Sequence, residues 1–219
     1  MTNEYSSVLI EVSDTIGAKT NGDSTMTWYD QHADKLAEQY ESVGFEQVHQ
    51  RWIHLLPEPG TALDVGAGSG RDAAWLTDKG WQVVAVEPSP AMQAEGRAAH
   101  PAASIYWIND QLPTLARVKQ LYQGYRLILL AGVFMHLPTT DQEPALDTLI
   151  ELLGPGGLLV ISLRKGPCET ERGNHPTDAD ALATRATAAG LTLELDETDP
   201  DSLGRRKVSW RSLVFSRPE

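Results

Sequence analysis

The sequence predicts an α/β protein with a doubly wound, mostly parallel sheet of seven strands and a helical cap that precedes the sheet. Three observations predict this fold. Short apolar runs alternate with segments of helical periodicity along most of the chain. Each pair of neighbouring runs among the first five is separated by a helical segment, as a parallel sheet with helices on both faces requires. The last two runs are separated by a loop alone, which predicts an antiparallel hairpin at one edge.

The amino-terminal part divides into a leader and a cap. Residues 1–23 are polar and predict a flexible leader, although the alternation in SSVLIEV is also compatible with a short edge strand. In residues 24–56, WYDQHADKLAEQYESV and FEQVHQRWIHLL carry apolar residues at helical spacing, which predicts two helices joined near Gly44. Residues 57–219 form the predicted core, and residues 24–219 are expected to be one domain.

The core alternates strands and helices in a regular order. The predicted strands are TALDVG (61–66), QVVAVE (82–87), SIYWI (104–108), RLILLAGV (126–133), GLLVISLR (157–164), TLELDET (192–198) and VSWRSLVFS (208–216). The helical patterns between the first five strands cover 70–79, 90–99, 114–122 and 140–153. Ligands of such sheets bind outside the carboxyl ends of the strands, where the strand order reverses.

Composition narrows the classes of function. The 219 residues include 30 acidic and 18 basic ones, and the resulting net charge of -12 argues against a large nucleic-acid partner. The single cysteine, Cys168, cannot form an internal disulfide, which favours a cytoplasmic location. No zinc-type spacing of cysteine and histidine occurs, so no metal is expected. The sequence has neither a secretory signal nor an apolar run long enough to span a membrane.

The stretch LDVGAGSGRD, residues 63–72, joins the first predicted strand to the first core helix. Gly66, Gly68 and Gly70 leave the backbone bare, and the start of the helix offers N–H donors, so a ligand can approach closely. A tight turn that binds nothing is the alternative interpretation.

Two carboxylates narrow the choice of ligand. Glu87 ends the second strand, where an acidic side chain can accept hydrogen bonds from both ribose hydroxyls. Asp64 lies inside the first strand, where a dinucleotide fold carries apolar residues, and a ligand ammonium group would be a suitable partner for it. The glycine spacing is G-x-G-x-G, with Arg71 where a third dinucleotide-fingerprint glycine would stand. The pattern favours a ligand that carries a ribose and an amino acid without a pyrophosphate.

LDVGAGSG, VVAVEPS and PGGLLVISLR resemble motifs of the class I S-adenosylmethionine-dependent methyltransferases, over about residues 55–165. The resemblance implies a sheet order of 3-2-1-4-5-7-6 with the seventh strand antiparallel. It also implies that S-adenosylmethionine is the cofactor, that Asp64 and the Gly66 to Gly70 loop, including Ala67, hold its methionine part, and that Glu87 binds its ribose.

The same resemblance suggests further cofactor contacts. Pro88 would lie beside the ribose and adenine, and Asn109 or Asp110 would meet the adenine amino group. In the cap, Tyr29 belongs to an aromatic cluster that would touch the cofactor or the acceptor, although packing alone also explains such a cluster. Arg51 is within predicted reach of the cofactor carboxylate. The chain departs from many members of the family at the start of the fourth strand, where GYRLILL carries an arginine instead of an aspartate.

Candidate groups for the methyl acceptor follow the fourth and fifth strands. His136 is interpreted either as a general base or as a packing residue. In the loop RKGPCETERGNHPTD, Arg164 and His175, together with Arg172 and Asn174, would bind an anionic or oxygen-rich acceptor. The alternative is a solvated loop in which Thr177 caps the next helix, with an acidic residue three positions on.

The leading hypothesis is methyl transfer to a small-molecule acceptor by in-line displacement, with no membrane association. Methylation of a nucleotide within RNA is a second hypothesis, which a continuous basic face formed by Arg71, Arg97, Arg117 and Lys119 would favour. A cofactor-binding protein without transferase activity is a third, and a nicotinamide dehydrogenase is a fourth. Asp64 and the glycine spacing argue against the dehydrogenase. The sequence does not predict an oligomeric state.

Overall fold

A computed structural model describes residues 22–121, 124–167 and 172–219, with side chains from residue 25 onwards. The strands are β1 (Thr61–Val65), β2 (Gln82–Val86), β3 (Ile105–Ile108), β4 (Tyr125–Ala131), β5 (Leu153–Lys165), β6 (Thr192–Pro200) and β7 (Ser209–Ser216). The helices are α1 (Gly22–Gln31), α2 (Ala33–Glu41), α3 (Phe45–Val48), α4 (Arg71–Asp78), α5 (Pro90–Ala99), α6 (Ala116–Leu121), α7 (Thr139–Leu152) and α8 (Ala179–Ala188). The predicted leader lies outside the described residues, except for its last two, which begin α1.

The seven strands form one sheet in the order β3-β2-β1-β4-β5-β7-β6. Neighbours from β3 to β5 pair in parallel, and β7 pairs antiparallel with both β5 and β6. The predicted sheet order and edge hairpin are confirmed. Because the order reverses between β1 and β4, the carboxyl ends of these two strands meet at the point where ligands bind in such sheets.

Alternate residues of the strands are buried on opposite faces of the sheet. In β4, Ile128 and Leu130 pack with α7 and α8, whereas Leu127 and Leu129 pack with α4 and with Trp52 from the cap. All four strand residues are fully buried. A strand that is buried on both faces has an almost continuous run of apolar residues in the sequence, and this run made the core strands predictable.

The first predicted cap helix is interrupted at His32, so that prediction of one continuous helix is wrong. His32 has φ −122° and ψ 11°, and its ring Nδ1 hydrogen-bonds to the carbonyl oxygen of Trp28 at 2.7 Å. Its backbone N–H donates to Tyr29, three residues back. The side chain thus takes the acceptor that a continuing helix would use, and α1 ends at Gln31.

The second predicted cap helix is also wrong, because it is replaced by α3 and a 3₁₀ turn over Ile53–Leu55. Between them the chain turns so that His49 and Trp52 are each 1% exposed. His49 reaches Asp72 of α4, and Trp52 packs under the sheet. Tertiary contacts of these two side chains outweigh the helical pattern.

Two boundaries differ from the predictions for local reasons. β5 begins four residues early, at Leu153, because Leu153 pairs with Tyr125 of β4 before the register shifts. α8 is capped by Asp178, not by Thr177, since the Asp178 carboxylate accepts hydrogen bonds from the N–H groups of Asp180 and Ala181.

Candidate active site

A cavity of about 530 Å³ opens at the carboxyl ends of β1, β2 and β4. The cap helices α1 and α2 line one side of it, and the loop between β6 and β7 lines another. The residues predicted for the site that line this cavity are Tyr29, Asp64, Gly66, Ala67, Gly68, Glu87, Pro88, Asp110, His136 and Arg164. Its volume suits a cofactor together with a small acceptor.

The glycine loop forms a tight turn closed by its own hydrogen bonds. Gly66, Gly68 and Gly70 all have positive φ angles, of 71°, 56° and 79°. A Cβ atom at Gly66 would collide with Val133, so both conformation and space exclude a side chain there. The N–H groups of Gly66 and Ala67 donate to the carbonyl of Val86. These two N–H groups are therefore used within the protein.

Asp64 is a buried carboxylate, 2% exposed, at the end of β1 beside the glycine loop. Burial, reinforced by the Asp72 carboxylate, raises the pKa of Asp64 well above its ordinary value, although Arg71 and the Ala73 N–H group act in the opposite direction. Within the described part of the chain, its Oδ2 atom is buried and has no hydrogen-bond partner. A buried oxygen of this kind, next to a cavity, is set up to meet a donor on a ligand.

Glu87 follows β2 and braces the glycine loop. Its carboxylate accepts hydrogen bonds from the N–H groups of Gly68 at 2.9 Å and Ser89 at 2.8 Å. Burial raises the pKa of the Glu87 carboxyl to about 7, against the lowering effect of these two N–H groups. Glu87 can therefore change its protonation near neutral pH.

A buried cluster under the loop was not predicted as part of the site. Arg71, the first residue of α4, lines the cavity and donates from Nε to Asp72 at 2.7 Å. Asp72 also bonds to the ring of His49 at 2.8 Å. The Arg71 guanidinium and His49 hold the pKa of the Asp72 carboxyl well below its usual range despite complete burial. The signal in the sequence was an arginine at a helix start, where the helix dipole disfavours a cation.

His136 lies in a 3₁₀ turn after β4, and both nitrogen atoms of its ring form hydrogen bonds. Its Nδ1 atom is 3.1 Å from the carbonyl oxygen of Arg172, and its Nε2 atom is 2.9 Å from the hydroxyl of Tyr29. Because a carbonyl only accepts, Nδ1 carries a hydrogen. In the neutral ring, Nε2 then accepts the hydrogen bond that the Tyr29 hydroxyl donates.

The cap is fastened over this part of the cavity by polar contacts. Asp30 of α1 accepts a hydrogen bond from the Ser89 hydroxyl at 2.5 Å. The guanidinium of Arg172 lies over the ring of Trp28 at 4.6 Å. Burial, together with Tyr40, raises the pKa of the Tyr29 phenol well above its ordinary value. Tyr29 therefore keeps its proton at neutral pH and acts as a hydrogen-bond donor.

The far side of the cavity is formed by the loop between β6 and β7. Asp201 holds this loop, because it accepts hydrogen bonds from the Arg205 guanidinium at 2.7 and 3.0 Å and from the Trp210 indole at 2.8 Å. These donors hold the pKa of the Asp201 carboxyl well below its usual range although the residue is buried. Arg164 also faces this part of the cavity, and donates to the carbonyl of Pro167 at 2.8 Å.

Arg51 and His175 are two of the predicted site residues that lie outside the cavity lining. Arg51 donates from Nε to Asp199 at 2.7 Å and pairs with Glu197, so its half-exposed side chain ties the cap to β6 and does not reach toward Asp64. His175 contributes its backbone N–H group to the carbonyl of Met135 at 2.6 Å, and its ring is not part of the lining.

The two candidates for the adenine end differ in position. Asn109 is exposed and donates weakly to the Pro88 carbonyl at 3.5 Å, outside the lining. Asp110 lines the cavity, while its carboxylate accepts the N–H groups of Arg117 and Val118 at the start of α6. Gly70 also lies outside the lining, at the N-cap of α4.

Within the described residues, no group of three or more His, Cys, Asp or Glu side chains is arranged to hold a metal ion. None of the described helices combines the length and the apolar character needed to cross a bilayer. Cys168 lies outside the described residues.

The sheet order and the position of the cavity define a class I methyltransferase fold, and solved structures agree with this. The 1,6-didemethyltoxoflavin-N1-methyltransferase of Burkholderia thailandensis, crystallised with bound 1,6-didemethyltoxoflavin and S-adenosylhomocysteine, is 18% identical, with 94% of each chain covered and a TM-score of 0.67. The N-methyltransferase NodS of Bradyrhizobium japonicum, in complex with S-adenosylhomocysteine, is also 18% identical, with 90% of this chain and 100% of that chain covered and a TM-score of 0.70.

Residues 36–196 match the family described as methyltransferase domain, and the chain belongs to this family. Glycine N-methyltransferase of Mus musculus is 29% identical over 116 residues, which cover 47% of this chain and 39% of that enzyme. The chain thus spans about two fifths of the length of this curated relative. Family membership overturns the nicotinamide dehydrogenase hypothesis.

Proposed function

We propose that the protein is an S-adenosylmethionine-dependent methyltransferase that acts on a small-molecule acceptor. The observation that carries this proposal is the buried Oδ2 atom of Asp64, which has no partner among the described residues and lies beside a glycine loop in a methyltransferase fold. When bound, the cofactor supplies an electrophilic methyl group on a positively charged sulfur. The reducing cytoplasm is the proposed location, supported by the single cysteine of the sequence.

The residues present fit this cofactor. Asp64 offers a buried acceptor for an ammonium group, and Glu87 offers oxygens near the loop for two ribose hydroxyls. Pro88 and Asp110 line the cavity where adenine would lie, whereas the exposed position of Asn109 favours Asp110 over it. Gly68 has no side chain that would separate the ligand from the loop.

The chemical contribution of the chain is orientation and proton removal. Displacement at a sulfonium needs little covalent help, so alignment of the acceptor accounts for most of the acceleration. If the acceptor must lose a proton, the Tyr29 hydroxyl can receive it while passing its own hydrogen to Nε2 of His136. The Arg172 carbonyl, which accepts the hydrogen on Nδ1, stabilises the resulting imidazolium. His136 is therefore proposed to act through Tyr29.

The arrangement of cations gives no support to an RNA acceptor. Arg71 points into the cavity and bonds to Asp72, and Lys119 bonds to Glu151 at 2.6 Å. Neither side chain is available to a continuous basic face at the mouth of the cavity.

Transfer of labelled methyl groups tests the proposed reaction. The protein is incubated with methyl-labelled S-adenosylmethionine and separate sets of small amines, phenols and carboxylic acids, with RNA as a further acceptor. We expect label in at least one small-molecule set. Label in RNA alone would contradict the small-molecule acceptor, and tight cofactor binding without any transfer would favour a cofactor-binding protein that is not an enzyme.

Glu87 should make cofactor binding dependent on pH. Ribose hydroxyls donate to the ionised carboxylate, but the pKa of about 7 means that the free protein is protonated below that pH. We expect the affinity for S-adenosylhomocysteine to fall about fivefold as the pH is lowered from 7 to 6, and the fall to approach about tenfold per unit at lower pH. Calorimetric titrations between about pH 5.5 and 8.5 measure this.

The variant Glu87→Gln should reduce this pH dependence, and Glu58→Gln, at an exposed position, should preserve it. The raised pKa of Glu87 also predicts how the free energy of unfolding of the ligand-free protein depends on pH. The folded state holds a proton between the ordinary pKa of 4.5 and about 7 that the unfolded state has lost, so this group makes stability fall as pH rises through that window. An affinity independent of pH in the natural protein would contradict the role given to Glu87.

A further inference from the structure

Asp64 and Arg71 flank the glycine loop. The Asp64 carboxylate accepts a hydrogen bond from the N–H group of Ala73, in the first turn of the helix that Arg71 begins. Asp64 is the last residue but one of β1, Arg71 is the first residue of α4, and both line the cavity. An acidic and a basic group in this arrangement match the ammonium and carboxylate groups that an α-amino acid carries on one carbon atom.

The guanidinium of Arg71 is held in place by two hydrogen bonds, but most of its N–H donors are not used by them. It has five N–H donors, of which Nε donates to Asp72 and Nη1 to the carbonyl of Tyr40 at 3.3 Å. Among the described residues no other acceptor bonds to it, which leaves three donors for a ligand. The side chain is 18% exposed, so water reaches these donors only in part. Open donors on a largely buried guanidinium are suited to a carboxylate, which accepts two parallel hydrogen bonds.

The cluster behind Arg71 keeps it in place. Asp72 receives hydrogen bonds from both Arg71 and His49, and both Asp72 and His49 are buried. Buried ion pairs contribute little net stability compared with apolar residues of the same volume. We therefore interpret the buried Asp72 and His49 as residues that position the Arg71 guanidinium.

Other cations are less suited to this end of the cavity. Arg51 is engaged with Asp199 and Glu197 outside the lining. Arg205 is held by two hydrogen bonds to Asp201 in the loop between β6 and β7.

We propose that Arg71 binds the carboxylate of the amino-acid part of the ligand while Asp64 binds its ammonium group, with Asp72 and His49 as positioning residues. This inference rests on the proposed function, because it concerns the amino-acid end of S-adenosylmethionine. It gives Arg71 the role that was predicted for Arg51.

Two ligands that differ only in the carboxylate test the inference. S-Adenosylhomocysteine and its decarboxylated analogue, which keeps the amine, are titrated calorimetrically into the natural protein and into Arg71→Gln. In the natural protein we expect the analogue to bind about 10- to 100-fold more weakly. In Arg71→Gln we expect S-adenosylhomocysteine to weaken by the same factor and the analogue to be unaffected, so that both ligands bind alike.

Arg185→Gln is the matched control, since Arg185, like Arg71, hydrogen-bonds to an aspartate but lies on α8 outside the cavity. It should retain the natural preference. Equal affinities for both ligands in the natural protein would overturn the inference without any variant, even if Arg71→Gln failed to fold. Equal weakening of both ligands in Arg71→Gln would also overturn it, because Arg71 would then support the shape of the pocket. Failure of the natural protein to bind S-adenosylhomocysteine at all would instead refute the proposed function.

Discussion

Replacing Asp64 with asparagine is expected to weaken binding of S-adenosylhomocysteine by at least about 30-fold, the equivalent of about 2 kcal/mol, while the free protein becomes more stable. The loss follows from the buried Oδ2 atom, which would meet the ligand ammonium group and which the variant replaces with an amide. An NH₂ group at that place cannot accept the hydrogen bond and offers no negative charge. Calorimetric titration measures the affinity.

The gain in stability follows from the raised pKa of the Asp64 carboxyl. A carboxyl whose pKa is raised by folding holds its proton to a higher pH than in the unfolded chain, so its ionisation opposes folding as the pH rises above its ordinary value of 3.8. We therefore expect Asp64→Asn to unfold at a higher temperature than the natural protein at pH 8, and the difference to shrink as the pH is lowered.

Asp78→Asn is a suitable control for both measurements, because the Asp78 side chain is 77% exposed and lies at the end of α4. It should leave both affinity and unfolding temperature unchanged. If Asp64→Asn bound S-adenosylhomocysteine as tightly as the natural protein, Asp64 would have no role in holding the ligand.

His136→Gln is expected to lower turnover by about 10²- to 10⁴-fold, the range that general base catalysis contributes, with little change in the affinity for S-adenosylhomocysteine. Turnover is measured with a small-molecule acceptor that the label-transfer experiment identifies and that loses a proton on methylation. Tyr29→Phe removes the hydroxyl that links Nε2 of His136 to the cavity, so it should lower turnover to a similar extent.

A purely structural role for His136 predicts different results. A packing residue would affect stability and ligand binding together, and its loss would not change the pH dependence of turnover. Loss of a base should change the dependence of turnover on pH. His54→Gln, at an exposed position in the cap, serves as the control and should behave like the natural protein. Full activity of His136→Gln would assign His136 to packing.

The core of the fold was predictable because its strands are buried on both faces and their lengths are short. Asp64 and Glu87 were also accessible to sequence reasoning, since a carboxylate at the end of an apolar strand is unusual in itself. In the cap the helical pattern was a poor guide, because contacts distant in sequence decide the structure there. His32 stops a helix with its own ring, and His49 turns inward to meet Asp72.

The contrast between Arg51 and Arg71 has a similar cause. From the sequence both were cations near the glycine loop, and Arg51 was given the ligand carboxylate because of its place in the cap. Its partners Asp199 and Glu197 lie on β6, more than a hundred residues away along the chain. No local pattern identifies such a pairing. The role of Asp201 in holding the loop between β6 and β7 was not predicted for the same reason, since its hydrogen bonds to Arg205 and Trp210 form only when the hairpin is folded.

Calorimetric titration of the natural protein with S-adenosylhomocysteine, and in parallel with NADH, tests the central claim most directly. The buried acceptor on Asp64, the braced glycine loop and the carboxylate of Glu87 predict micromolar binding of S-adenosylhomocysteine and no binding of NADH. Absence of S-adenosylhomocysteine binding at millimolar concentration, with the protein folded, would contradict the assignment of this cavity to S-adenosylmethionine.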